Sequence, residues 1–178
     1  MIGMAPRVPD EGNCVPTALT NLVVMIDRRT GGTPDVRTIY RIALDTAINN
    51  FGYRLPLGGV SVSQTAAYTQ SVLNNFGYRA TVTRQVPTVD RIRTQLRRGL
   101  PFPLATLGHG HYRSHLVAAY AYAQLRRTSD NALLTFIKVS DGHATSGRFI
   151  AVATVNTTNT GAMFMWTSTN PTLRNWAW

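Results

Sequence analysis

Apolar residues recur at helical spacing up to Gly99 and alternate in strand fashion from Pro101 onward. This one change of period restricts the chain to a fold in which helices come first and pack on a later, mostly antiparallel sheet, an α+β architecture. The first helix is predicted from Cys14 to about Asp27, with Ala18, Leu22, Met25 and Ile26 on its apolar stripe and Pro16 in the first turn, where a missing N–H costs nothing. A second is predicted from Thr33-Pro34-Asp35, with Thr33 as cap, to about Asn50. The hexapeptide Asn49-Asn50-Phe51-Gly52-Tyr53-Arg54 returns as Asn74-Asn75-Phe76-Gly77-Tyr78-Arg79, and both copies read as helix stops with a left-handed glycine and an aromatic folded back. Between them, Ser61 or Ser63 caps a third helix. Thr88 caps a fourth, which Gly99 closes.

A short strand is predicted at Ala80–Thr83, before the fourth helix. After the change of period come a strand from Pro101 to Leu107, a histidine-rich loop from Gly108 to Ser114, and a hairpin pairing His115–Tyr122 with Ala132–Ser140 across a polar turn at Arg126–Asn131. Further strands are expected at Arg148–Val155 and Met163–Thr167. The chain of 178 residues, 44% hydrophobic and 15% charged, is long enough to bury one core, and no linker divides it, so a single domain over residues 1–178 is expected. No apolar run is long enough for a membrane span and the N-terminus lacks the apolar stretch of a signal peptide, so a soluble chain is expected.

Lysine and arginine outnumber aspartate and glutamate 18 to 8, for a formal charge of +10. Such a balance favours acidic proteins or polyanions as non-specific partners. The arginines are scattered in sequence, however, with adjacent pairs only at Arg28-Arg29, Arg97-Arg98 and Arg126-Arg127, and no nucleic-acid motif accompanies them.

Cys14 is the sole cysteine, which excludes an internal disulfide and a multi-cysteine metal site. It stands where a loop enters a helix, and the N–H groups there stabilise a thiolate and the oxyanion that its attack on a carbonyl creates. His115 opens one hairpin strand and Asp141 closes the other, and antiparallel pairing brings those two ends to the same edge of the sheet. A thiol, an imidazole and a carboxylate so ordered suit nucleophile, base and orienting acid. His109, His111 and His143 lack a compact carboxylate or cysteine spacing to complete a metal site, so neither a metal nor any other cofactor is expected. His109 and His111 are expected as solvated loop residues.

Cys14-Val15-Pro16-Thr17-Ala18-Leu19 resembles the Cys-Gly-Pro-Thr/Ala-Ala-Leu segment of C39-like cysteine peptidases, within the papain-like superfamily. Ile92 to Pro101 resembles that family's helix-Gly-x-Pro step into its central strand, His115-Leu116-Val117-Ala118-Ala119-Tyr120 its histidine strand, and Lys138-Val139-Ser140-Asp141 the segment of its third residue. The resemblance implies a papain-like fold, a protein or peptide substrate, Cys14 as nucleophile, His115 as base and acid, and Asp141 as orienting acid. The family's glutamine ahead of the cysteine is missing, the first Gln being residue 64, and Asn13 offers the same amide chemistry for the oxyanion hole. A weaker resemblance links Glu11-Gly12-Asn13-Cys14 to ovarian-tumour-type deubiquitinases, in which His111 would be the histidine. Three functions are therefore consistent with the residues: hydrolysis of a peptide or isopeptide bond, modification of a glutamine side chain by a papain-fold effector or toxin, and a structural or binding module without catalysis, such as one in a viral assembly.

Overall fold

The computed structural model describes residues 13–54, 59–142, 146–156 and 159–170. Four helices, α1 (Cys14–Arg29), α2 (Val36–Phe51), α3 (Thr65–Asn75) and α4 (Val89–Arg97), accompany six strands, β1 (Ala80–Gln85), β2 (Phe102–His109), β3 (Arg113–Arg126), β4 (Leu133–Ser140), β5 (Arg148–Ala151) and β6 (Gly161–Ser168). The strands form one sheet in the order β1-β6-β2-β3-β4-β5, with every neighbouring pair antiparallel. The α+β arrangement expected from the change of period is therefore the one observed. One difference of layout stands out: β1, which lies among the helices in sequence, closes the sheet by pairing with β6, Ala80 opposite Ser168.

Local signals explain most element ends. Gly52 and Gly77 take the left-handed conformation, with φ of 68° and 75°. Behind them the Tyr53 and Tyr78 N–H groups donate back to the Ala47 and Leu73 carbonyls, and both rings are buried. The repeated hexapeptide is thus one helix stop used twice. Ser61 Oγ accepts from the Gln64 N–H while Gln64 Oε1 accepts from the Ser61 N–H, a capping box one turn ahead of α3. Thr88 Oγ1 accepts from Arg91 N–H at the start of α4.

The cap of α2 differs from expectation. Asp35 takes that place, its Oδ1 accepting from the Arg37 N–H and its Oδ2 from the Thr38 hydroxyl, because a charge-bearing acceptor at this position outcompetes Thr33 two residues earlier. Two further boundaries move. The histidine-rich loop shrinks to residues 110–112 because β2 runs on to His109 and β3 begins at Arg113. The strand from Arg148 stops at Ala151 and gives way to a 3₁₀ turn, Val152–Thr154.

α1 is buried at eleven positions, from Val15 to Ile26, and packs on the middle of the sheet. Residues 102–106 of β2 and 116–119 of β3 are buried without alternation, as expected where a sheet is covered on both faces. Trp166 of β6 is fully buried, its Nε1 donating to the Pro101 carbonyl at 2.7 Å while its own carbonyl accepts from Gln95 Nε2 at 2.9 Å. This pair ties α4 and the entry to β2 onto β6. Trp166→Phe leaves the Pro101 carbonyl without its indole donor and is expected to cost about 1–3 kcal/mol. Trp166→Ala should cost about 3–5 kcal/mol. Both are read as shifts of the urea midpoint at unchanged slope.

Candidate active site

Cys14 is the first residue of α1, one position after Asn13, and α1 packs on β3 so that the main-chain N–H of Leu116 comes near enough to the sulfur to draw the thiol pKa down. Leu116 follows His115 directly, so the packing of α1 on β3 seats the thiol beside the strand segment that bears the histidine. His115 Nε2 lies 3.2 Å from the main-chain carbonyl oxygen of Asp141, just past the end of β4. The register behind this contact is Ala118 opposite Ser140, which carries the start of β3 and the end of β4 to one edge. Asn21 Nδ2 of α1 donates to Ser140 Oγ at 2.9 Å in the interior, fixing the helix against the same strand end.

The geometry refines the part assigned to Asp141. The 3.2 Å contact to the imidazole is made by its main-chain oxygen, and its carboxylate is engaged elsewhere. Oδ2 accepts from the Tyr112 hydroxyl at 3.1 Å and pairs with Arg148 Nε at 3.3 Å, and the residue is only 4% exposed. A buried carboxylate needs such partners to remain charged. Gly142 has φ 78°, and a Cβ there would come 2.9 Å from Thr17 Cγ2 in the first turn of α1.

Tyr112 is the residue that pattern reading passed over. Its ring stacks on His115 with 5.7 Å between centroids and 6° between planes, while its hydroxyl reaches Asp141. Burial and the neighbouring carboxylate push its phenol up to about 12, so it is a neutral donor at every physiological pH. Arg148 sits at no motif position, and Tyr53 is marked in the sequence only as the aromatic of a helix stop. Asn13 Oδ1 accepts from Tyr53 OH at 3.2 Å and from Tyr40 OH at 3.4 Å, and burial pushes Tyr53 up to about 12. The two tyrosines fix the amide of Asn13 one residue from the thiol.

Of the other histidines, His111 lies exposed in the loop as expected, and His109 does not. His109 is half-buried in β2 rather than solvated, with Nε2 3.1 Å from Thr154 Oγ1 and Nδ1 accepting from the N–H groups of His111 and Tyr112. That folded-back ring shapes the turn between β2 and β3. His111 is exposed and faces Arg148 Nη1 at 3.1 Å. His143, Trp176 and Trp178 lie outside the described residues, as do Asp10 and Glu11. Among the described residues, no group of three or more His, Cys, Asp or Glu side chains is gathered as metal ligands would be, and no helix is long and apolar enough to cross a membrane.

Electrostatically, the thiol departs from the expectation of a helix-stabilised thiolate. Burial pushes the Cys14 pKa up, and the N–H groups of Leu116, Cys14 and Val15, which pull it down, do not outweigh the loss of water. The shift is away from the thiolate form.

No protein-family model and no curated protein matches the chain. Among solved structures it is similar to the crystal structure of the peptidase domain of Streptococcus ComA, described as a bi-functional ABC transporter involved in a quorum sensing pathway. That likeness covers 93% of this chain and 98% of that one, with a TM-score of 0.51 at 10% sequence identity. At this identity the likeness bears on the fold: the α+β layout here is similar to that of a peptidase domain.

The raised thiol gives a prediction with a definite sign. Iodoacetamide labelling of Cys14 should show a higher midpoint pH in the folded chain than in the same chain unfolded in urea. Because the folded form holds its proton more tightly, the thiol's contribution to stability is complete below the unfolded pKa. It is lost as pH rises through the folded pKa, and Cys14→Ala should flatten that decline.

Proposed function

We propose that this chain is a thiol hydrolase of papain-like kind that cleaves a peptide or isopeptide bond, acting as one domain with Cys14 as nucleophile, His115 as general base and acid, and Asp141 as the orienting residue. The observation that carries the reading is the meeting of three elements at one point. The Cys14 sulfur lies near the N–H of the residue after His115, and the His115 ring is 3.2 Å from the carbonyl oxygen of Asp141. The peptidase-like fold supports the same reading.

The chemistry follows from the donors. A carbonyl oxygen only accepts, so the contact at Asp141 requires the proton on His115 Nε2 and leaves Nδ1 with a lone pair. Nδ1 takes the thiol proton as sulfur attacks the substrate carbonyl. The C–S bond forms while the carbonyl π pair moves to oxygen, and the resulting oxyanion is met by N–H groups at the start of α1 and by the Asn13 amide. Nδ1–H then protonates the leaving amine, and water releases the acyl group by the same proton route. The imidazolium formed midway is stabilised by the buried Asp141 carboxylate, whose place is secured by Tyr112 and Arg148. A neutral resting thiol is compatible with this route because proton transfer to the base accompanies attack.

The test is turnover of a peptide library with analysis of new chain termini. His115→Ala and Cys14→Ala should abolish cleavage. Asp141→Asn, which keeps the main-chain carbonyl but loses the charge, should lower kcat by about 10²- to 10⁴-fold. His111→Ala should stay within about twofold of the parent, since a twofold change is under 0.5 kcal/mol. Inactivity of His111→Ala with His115→Ala still active would replace the assignment by the ovarian-tumour-like one. Ammonia release without new termini would make the protein a glutamine-modifying enzyme. No turnover in either assay would identify a binding module built on a peptidase-like frame.

A further inference from the structure

The arginine pairs that look scattered in sequence converge at the pole of the molecule opposite Cys14. α1 runs from Cys14 to Arg29, and Arg29 Nη1 donates to the carbonyl of Gly99, just beyond Arg97 and Arg98 at the end of α4. The chain then enters β2, where Phe102 pairs with Ala119 of β3. α4 packs on β3, and three residues further along that strand Arg97 and Arg93 come near enough to the Tyr122 hydroxyl to lower its pKa. β3 continues to Arg126, which shares the face of Tyr122 by strand alternation. α1, and β3 from His115 to Tyr122, each span about 23 Å, so this pole is remote from the candidate active site.

Basic groups outnumber acidic ones at this pole. Among the described residues the ion pairs are Arg127–Asp130 and Arg148–Asp141, and Arg28, Arg93, Arg97, Arg98 and Arg126 are in neither. Arg93 Nε is buried with no hydrogen-bond partner among the described residues, and Arg126 Nη1 donates to the neutral Asn131. Two guanidiniums one helical turn apart on a neutral phenol repel each other and retain unspent donors. An oxyanion placed between them relieves both costs.

We propose that this pole binds the phosphodiester backbone of single-stranded nucleic acid. Guanidinium forks match phosphate oxygens two at a time, and all but one of the chain's basic residues are arginine. The row from Arg93 and Arg97 to Arg126 extends about 13 Å along β3, enough for more than one phosphate. Between its ends lies the half-exposed ring of Tyr122, on which a base can stack. The net charge of +10 draws the strand in. An acidic peptide would use the same forks and gain nothing from the ring. A membrane would instead engage Leu125 and Leu133, 58% and 55% exposed beside Arg126.

The full chain is titrated into a fluorescent single strand of about 20 nucleotides, read by anisotropy between about 50 and 200 mM salt. Arg93→Gln/Arg97→Gln should weaken binding at least tenfold and reduce the slope of log K against log salt by about 1.4, the share of two phosphates on a single strand. Circular dichroism checks that this variant folds, and Arg126→Gln on the exposed hairpin should weaken binding severalfold in any case. Arg37→Gln/Arg41→Gln removes the same charge from α2, whose Tyr40 lies by Asn13 at the other pole, and should change affinity little. Equal loss in that control, an unchanged salt slope, or binding to phosphatidylglycerol vesicles or to polyglutamate in preference to the strand would overturn the proposal.

Discussion

Burial of α1 against the middle of the sheet is the contact from which the rest of the molecule takes its positions. The helix carries apolar side chains around much of its circumference, so it can only be an inner element. Once it lies on β2 and β3, its first residue falls beside Leu116 and its last beside Gly99, and both ends of the molecule are thereby assigned. Asn21 to Ser140 supplies the polar lock that sets its depth and rotation, since an amide in the interior has to find its partner. A candidate active site and an arginine-rich pole are the two ends of one packed helix.

At the active-site end, the groups form a chain of dependence rather than three independent residues. Arg148 and Tyr112 hold the Asp141 carboxylate, the Asp141 carbonyl holds the imidazole edge, and the Tyr112 ring lies flat against the imidazole face. Constraint from edge and face together leaves His115 little rotational freedom, as a proton-transferring ring requires. The cost of the enclosure is visible in the thiol, which loses water and is pushed toward its neutral form. Constraint of the imidazole and desolvation of the thiol are two results of one packing arrangement.

Legibility from sequence was greatest where a few neighbouring residues settle the outcome. The two Asn-Asn-Phe-Gly-Tyr-Arg stops, the Thr88 cap, the hairpin and the placing of Cys14 at a helix start all follow from local rules and all appear in the fold. Asp35 displaced Thr33 as a cap because two good candidates stood close together and sequence gives no measure of which one the backbone will reach. His109 was misjudged as solvated for a similar reason: whether β2 ends before or after it depends on pairing with Arg113. Tyr112 and Arg148 carry no motif, and Tyr53 carries only a helix-stop signal; what brings them to Asp141 and Asn13 is the sheet register and the helix packing.

The sequence by itself determined the class of fold, because a periodicity that changes from helical to strand-like at Gly99–Pro101 leaves few ways to bury both kinds of apolar surface. It also determined which residue types were available for chemistry: one thiol, four histidines and few carboxylates. Tertiary structure alone decided which of them meet. Register put the Asp141 carbonyl rather than a motif neighbour at the edge of His115, and burial pushed the Cys14 pKa up. The packing of α1 and α4 on β3 gathered arginines separated by scores of residues at one pole. Proximity across a fold is set by long-range contacts whose partners are distant along the chain, and no local pattern encodes them.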